Sequence, residues 1–324
     1  MSKNQIKNLI IVALVILNTV TLFWPKLARH NESQDNINRA DFAKKFSLLD
    51  PNRQDMDVKD LIVNLQDLRT YLKVLPEQNK DWAEISIYFE VLNTGASVVV
   101  NPDLKIWPAS LSKLPVGMVA MKRVEEGKWN LDTTKIKMAS VDVDTATPDV
   151  ATKVGQEFSL RFLLDRLLLE SDNTAYQMIL KQLTPEEFKV LPESIGLEEL
   201  IDSEGHMSAK DYTRLFRSLY LATYLDEENS EDILELLQRS ENNNFIGSGF
   251  PEGTQFAHKW GTHNAKNVFA DSGIAYFPNR PVLISVMIQA HGSDLAGNQT
   301  KAENLMKAIG QKVSTFTVNA AGQD

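Results

Sequence analysis

The 324-residue chain contains no cysteine, which removes disulfide scaffolds, thiol nucleophiles, Fe–S clusters and Cys-based zinc sites together. Its five histidines are scattered and none falls in an HExxH spacing, so the sequence does not read as a metal enzyme and implies no cofactor. Basic residues cluster no further than pairs, and 43 acidic against 34 basic residues leave a net charge of −9. The electrostatic footprint of a nucleic-acid binder is therefore missing. No internal repeat is present. Chemistry is left to serine, lysine, acids and tyrosine, in a chain with about two domains' worth of length at the usual ~150 residues each.

Against this background one apolar run stands out. Leu9 to Trp24 reads LIIVALVILNTVTLFW, uncharged and broken only by Asn18, Thr19 and Thr21. As a helix it spans about 24 Å, the short end of a membrane crossing. Lys3 and Lys7 precede it and Lys26 and Arg29 follow, so flanking side-chain charge does not orient it strongly, and the free N-terminus tips it toward a cytoplasmic N-terminus. Lys26-Leu27-Ala28 puts lysine where a cleaved signal peptide needs a small residue, so the run reads as an uncleaved signal anchor over 1–29. Residues 30–40 are polar and non-periodic, as a tether leaving a membrane is. The expected location is a single-pass N-terminal anchor with the rest of the chain on the extracytoplasmic side. A cysteine-free chain there relies on its core alone for stability.

From Asp41 the pattern becomes helical, and Val58, Leu61, Ile62, Leu65, Leu68 and Leu72 form an amphipathic stripe over 57–75 that Pro76 is expected to end. This makes 41–83 an N-terminal helical extension. Ile85–Val91 and Ala96–Val100, joined by Leu92-Asn93-Thr94-Gly95, read as an antiparallel hairpin. From Leu111 to about Leu225 the period is mostly helical, strongest at Leu160, Leu163, Leu164, Leu167 and Leu168. Strands return at Gln255–Trp260, Val268–Phe277 and Val282–Ala290, divided by Gly261-Thr262-His263-Asn264 and by Pro278-Asn279-Arg280-Pro281. A last helix, Gln299 to about Thr315, precedes a polar tail over 317–324. Strands at both ends with helices between them predict one α+β unit over 84–316, an antiparallel sheet closed by distant segments with an all-helical lobe inserted.

Three strings in this frame carry chemistry: Ser110-Leu111-Ser112-Lys113, Ser171-Asp172-Asn173 and Lys259-Trp260-Gly261. The first two occur once each. Singly each has a plain structural reading, as a helix N-cap for Ser110 or for the Ser171-Asp172-Asn173 run, or as a strand end. Together they have a catalytic logic. Ser110 opens a helix and Lys113 lies one turn on along the same face, within reach of the hydroxyl. The helix N-terminus offers backbone N–H groups and partial positive charge, which help an oxyanion form and favour a neutral Lys113 that can act as base. Ser171 is placed to relay a proton to a leaving nitrogen, and the Asn173 amide to hold both Lys113 and a substrate carbonyl. Lys259 supplies a cation beside Ser171. Gly261, without a side chain, lets a substrate lie along the strand edge, with the Thr262 backbone N–H as second oxyanion donor.

In order and spacing the trio resembles the S-x-x-K, S-D-N and K-T-G motifs of the serine β-lactamase and penicillin-binding-protein superfamily, and is most similar to class A β-lactamases. The resemblance covers roughly Glu84 to Ile309. It implies a five-stranded antiparallel sheet with helices on both faces and an all-helical lobe, the site lying between them. It also implies Ser110 as the acylated nucleophile, Lys113 as its base, Ser171 and Asn173 as proton relay and substrate clamp, and Lys259 as electrostatic partner. Two departures stand beside it. No Glu-x-x-Leu-Asn stretch, the omega-loop source of the deacylating glutamate in class A enzymes, occurs between Asn173 and Lys259; Glu204 is the best substitute. Trp260 replaces the hydroxyl residue that contacts a substrate carboxylate, and stands either as an apolar subsite wall or as packing at a strand end.

Three functions follow as expectations: hydrolysis of a β-lactam or related amide, D,D-peptidase action on peptidoglycan peptides, or a sensor or scaffold acylated once by a β-lactam. Because Lys113 must be neutral to accept a proton, activity is expected to fall toward acid pH.

Overall fold

The computed structural model describes residues 41–50, 63–142, 154–240 and 244–321. The chain divides into two compact units, 1–55 and 56–324. In the first, residues 41–45 are helical and the rings of Phe42 and Phe46 pack 5.0 Å apart. The Leu9–Trp24 run, the 30–40 tether and the first part of the 57–75 stripe lie outside the described residues. Among the described residues no helix is long and apolar enough to cross a membrane.

The second unit opens with helix α1, Gln66–Asn79. It runs through Pro76 where the sequence predicted an end there. The proline lies in the last turn, where its missing N–H forfeits a single helical bond, and Asn79 makes the stop. Its Nδ2 donates to the Leu75 carbonyl at 2.8 Å and its Oδ1 accepts from Trp82 Nε1 at 2.9 Å. Strands β1 (Ala83–Val91) and β2 (Ala96–Val100) form the expected hairpin, in register from Ile87 opposite Val100 to Val91 opposite Ala96. Short strand β3 (Lys105–Ile106) leads into a 3₁₀ turn, Ala109–Ser112, and helix α2, Lys113–Glu125.

The inserted lobe follows. Strands β4 (Lys135–Lys137) and β5 (Glu157–Ser159) pair, and Ser159 caps helix α3, Leu160–Leu168, whose leucine stripe is buried as the sequence predicted. Helix α4 (Asn173–Leu180) is followed by α5 (Pro185–Ser194), opened by a Thr184–Glu187 capping box. Strand β6 (Met207–Ser208) pairs with β3, and α6 (Ala209–Tyr220) and α7 (Glu227–Gln238) complete the lobe.

The chain then returns to the sheet as β7 (Gln255–His263), β8 (Val268–Phe277) and β9 (Arg280–Ala290), and ends in α8, Leu295–Ala321. The five strands lie in the order β2-β1-β9-β8-β7, every pair antiparallel, so β9 closes the sheet onto β1 from the far end of the chain. Strand β7 extends through Gly261-Thr262-His263, which the sequence suggested as a divider, because Thr262 and His263 pair with Phe269 and Val268. The reversal falls instead on Asn264–Asn267, with Asn267 left-handed at φ 53°. Helix α8 outlasts the predicted one, and Thr317, assigned to a polar tail, is 2% exposed with its hydroxyl bonded to the Val313 and Ser314 carbonyls.

One face of the sheet carries the main apolar core. Ile85, Ile87 and Phe89 of β1 and Val282, Ile284 and Val286 of β9 meet Leu68 and Leu72 of α1 and Met306, Ile309 and Val313 of α8. The leucines of α1 thus serve the same core as the strands. On the other face α6 packs across β1, β8 and β9 and leads into the helical lobe. Edge strand β7 lies against the 3₁₀ turn that carries Ser110.

Candidate active site

Local geometry makes the three strings converge. Ala109 takes φ +49°, which pulls the chain out of its extended run and into the tight 3₁₀ turn; Ser110 therefore sits in that turn, three residues before α2 begins, rather than in the first turn of the helix. Lys113 begins α2 and is 3% exposed. Its Nζ donates to Ser110 Oγ at 3.0 Å and to Asn173 Oδ1 at 2.5 Å. The far side of the turn is held by a residue that no motif pointed to. Tyr212 of α6, fully buried, donates its hydroxyl to the Leu111 carbonyl at 3.0 Å.

Ser171-Asp172-Asn173 divides its labour. The middle residue is the helix cap that simple sequence logic offered, its carboxylate accepting the Ala175 N–H at 2.7 Å. Ser171 adopts φ +58°, and that turn lets its hydroxyl reach Lys259 while Asn173, at the first position of α4, reaches Lys113. Lys259 is wholly buried and donates to Ser171 Oγ at 3.0 Å and to the Trp260 carbonyl at 3.1 Å. Burial pushes its ammonium down from the ordinary lysine range to about 7, with the nearby Lys113 charge acting in the same direction and Asp271 opposing both. Asp271 belongs to a buried pair under the strand, 2.7 Å from His258 Nδ1, and also accepts the Ile246 N–H at 3.1 Å.

Strand alternation sorts the third string. Lys259 and Gly261 face the 3₁₀ turn and the lobe. Trp260 faces the other way, packed on the α1–α8 core with its ring centroid 6.4 Å from that of Phe245. The ring thus has the strand-end packing that was one of the two readings for Trp260, and Lys259 Nζ lies 5.2 Å from its centroid. Gly261 is required by proximity: a Cβ there would stand 2.7 Å from the Ser110 backbone nitrogen and 3.2 Å from Ala109 Cβ. Thr262 follows on the free edge of the sheet, half-buried. Gly261→Ala is expected to push the Ser110 amide out of place and slow acylation about 100-fold, since displacement of about 1 Å at a reacting group costs that much. Stopped-flow acylation rates compared with the thermal unfolding midpoint will separate this from a loss of fold.

Glu204 is not brought to this constellation. It is exposed in the turn that precedes β6, with its backbone N–H on Asp202 Oδ1 at 3.1 Å, and its carboxylate has no hydrogen-bond or ion-pair partner among the described residues. Only twelve residues, 195–206, separate α5 from β6. Beside them the structure places Trp107, three residues before Ser110. Its ring stands edge-on to His206 and His263 at 6.2 and 6.1 Å, with Lys266 Nζ 4.2 Å above it. Gly205, at φ +84°, lets the turn close over this ring, which a Cβ would meet at 2.6 Å. None of these contacts has a sequence signature, because each joins segments about 100 to 160 residues apart.

The arrangement can activate a serine hydroxyl through a buried amine, steady an oxyanion at backbone N–H groups, and hold a second serine against a second amine. Comparison with known proteins agrees with it. The model of a family described as the Beta-lactamase enzyme family matches residues 67–317. The chain is 25% identical over 243 residues to the extended-spectrum beta-lactamase PER-1 of Pseudomonas aeruginosa, covering 68% of this chain and 78% of that one. It is 26% identical over 247 residues to Beta-lactamase 3 of Bacillus cereus, covering 70% and 76%. Among solved structures, PBP-A superposes with a TM-score of 0.71 at 21% identity over 79% of this chain and 97% of that one. A beta-lactamase from Sphaerobacter thermophilus does so with 0.67 at 19% over 81% and 99%. These two likenesses speak to the fold, while the family match spans both the fold and all three motifs. The chain belongs to the beta-lactamase enzyme family and is a β-lactamase-like serine hydrolase.

Proposed function

We propose that the chain hydrolyses β-lactams through an acyl-enzyme on Ser110. The observation that carries the reading is the 3.0 Å bond between Lys113 Nζ and Ser110 Oγ inside a closed set of partners. Lys113 takes the Ser110 proton as Oγ attacks the lactam carbonyl, and the Ser110 and Thr262 backbone N–H groups receive the oxyanion. Ser171 passes a proton to the departing lactam nitrogen, Lys259 attracts the substrate carboxylate, and Asn173 orients Lys113. Water then releases the acyl group. Intact-mass spectrometry during exposure to nitrocefin and to penicillin tests this: turnover with at most a transient adduct supports it, and one persistent adduct per chain with no turnover overturns it.

One observation favours a second reading. No Glu-x-x-Leu-Asn stretch lies between Asn173 and Lys259, and Glu204 stands exposed in the turn before β6, so neither supplies the carboxylate base of a class A deacylation. A D,D-peptidase acting on cell-wall peptides would tolerate a slow lactam release; cleavage of a D-Ala-D-Ala peptide faster than of nitrocefin selects it. Under either reading we propose that Leu9–Trp24 anchors the chain in a membrane and the hydrolase unit stands outside it. The long uncharged run and the polar tether support this. Carbonate washing of membranes is expected to retain the full chain and to release a variant lacking residues 1–40.

The position of Lys259 fixes a pH prediction. With its ammonium depressed to about 7, the cation that attracts a substrate carboxylate is present below that pH and lost above it. For a carboxylate-bearing penicillin kcat/KM is expected to fall about tenfold per pH unit on the alkaline side, and Lys259→Met to abolish that limb along with most activity. The same shift acts on stability with the opposite slope. Between about 7 and the ordinary 10.5 the unfolded chain binds a proton the folded chain does not, so unfolding free energy rises with pH across that window. Denaturant titrations at pH 7 and 10 check the sign.

A further inference from the structure

Helix α6 has a second face that acylation does not use. Lys210, Arg214 and Arg217 recur at steps of four and three and share one side of the helix, opposite the side on which Tyr212, Leu215, Phe216 and Leu219 are buried. They line a cleft of about 440 Å³, walled also by Tyr88 of β1, Ser194 at the end of α5 and Thr223 beyond α6. No carboxylate lines it, although acids outnumber bases in the whole chain by 43 to 34. Three cations stacked along a helix repel one another, and the protein answers only part of this. Arg214 Nη1 donates to the Ile195 and Gly196 carbonyls at 3.0 and 3.1 Å. Arg217 Nη2 donates to the Tyr88 hydroxyl at 3.1 Å and to Glu90, which is 1% exposed behind the wall.

These bonds orient the guanidinium groups without consuming them. Arg214 keeps Nε and Nη2, Arg217 keeps Nε and Nη1, and Lys210 keeps its whole ammonium without a protein acceptor among the described residues. Planar forks held in place by carbonyls and a buried carboxylate are the arrangement that recognises an oxyanion. The Ser194 and Thr223 hydroxyls give their protons to the Leu191 and Ser218 carbonyls, which leaves their oxygens as acceptors for the hydroxyl groups of a ligand. We propose that this cleft binds a sugar-like ligand bearing a phosphate or carboxylate, at a site separate from Ser110.

The probes are glucose 6-phosphate, glucuronate, inorganic phosphate and glucose, titrated calorimetrically into the full-length chain. Saturable binding of glucose 6-phosphate or glucuronate, tighter than of inorganic phosphate and absent for glucose, is the expected result, and whichever charged sugar binds tighter names the oxyanion. Lys210→Gln, a change at an exposed position, is expected to weaken that binding about fivefold, and Lys210→Gln with Arg214→Gln about 30-fold, with nitrocefin turnover and the far-UV spectrum unchanged. No saturable binding of either charged sugar, equal binding of glucose, or binding untouched by Lys210→Gln would overturn the proposal. So would loss of binding in Lys259→Met, which would put the anion in the catalytic site instead.

Discussion

Ser110→Ala will take no covalent adduct from any β-lactam and will turn over nitrocefin at no more than about 10⁻⁴ of the wild-type rate, while unfolding at an unchanged midpoint. The chemical half of this follows from the atom removed: the Ser110 hydroxyl is the group of the 3₁₀ turn that Lys113 Nζ meets at 3.0 Å. The remaining donors can hold a lactam carbonyl without attacking it, and removal of a nucleophile from a hydrolase of this kind costs four or more orders of magnitude. The structural half follows from the bonds that stay. The turn is tied by Tyr212 to the Leu111 carbonyl, by the Ser112 hydroxyl to the Ala109 carbonyl at 2.9 Å, and by the Leu111 N–H to Pro108 at 3.0 Å; none uses the Ser110 side chain. Intact mass after an hour with penicillin, beside a melting curve, checks both. An adduct on the variant would place the nucleophile elsewhere, with Ser171, bonded to its own buried amine, the residue to examine next.

The legibility of this fold differed by the range of the interaction. The β1–β2 hairpin, the leucine stripe of α3 and the three C-terminal strands were readable because period and turn residues are local properties. So were seven of the nine predicted site residues, six named by the three strings and Thr262 directly after them, which the structure gathers between β7, the 3₁₀ turn and α4. What escaped reading were features decided across the sheet. Helix α1 passes through Pro76 because Asn79 and Trp82 supply a better stop three residues later. Strand β7 overruns Gly261 because β8 offers it partners as far as Val268. Trp260 stood open between a substrate wall and strand-end packing because it replaces the hydroxyl residue of the family's third motif. Adjacent residues of a strand face opposite sides, and the ring belongs to the Phe245 side. Glu204 was chosen as the acid nearest the right place in the chain, but twelve residues between α5 and β6 leave it in an exposed turn. Tyr212, Trp107 and the His258–Asp271 pair bear on the site through contacts that no spacing rule encodes.

Lys113→Ala separates activation of the nucleophile from its presence. The variant is expected to acylate about 10³-fold more slowly than wild type, within the range a positioned general base contributes, yet to reach one adduct per chain over hours, which Ser110→Ala never does. The loss has two parts. Ser110 loses the amine that receives its proton, and Asn173 loses the partner its Oδ1 meets at 2.5 Å, so the carboxamide is freed to turn away from the substrate. Asn173→Ala, which removes only the second part, is therefore expected to cost less, about 10- to 100-fold. In wild type the alkaline limb of kcat/KM records the deprotonation of Lys259, and both Lys113→Ala and Asn173→Ala keep it. Because Lys113 is 3% exposed and lies beside the buried Lys259, the substitution also relieves a repulsion between two amines. The melting point of Lys113→Ala should consequently fall less than a cavity of that size would make it, and the midpoint of the alkaline limb should move up from about 7. That upward movement is a signature of the two amines sensing each other, which packing damage alone would not produce.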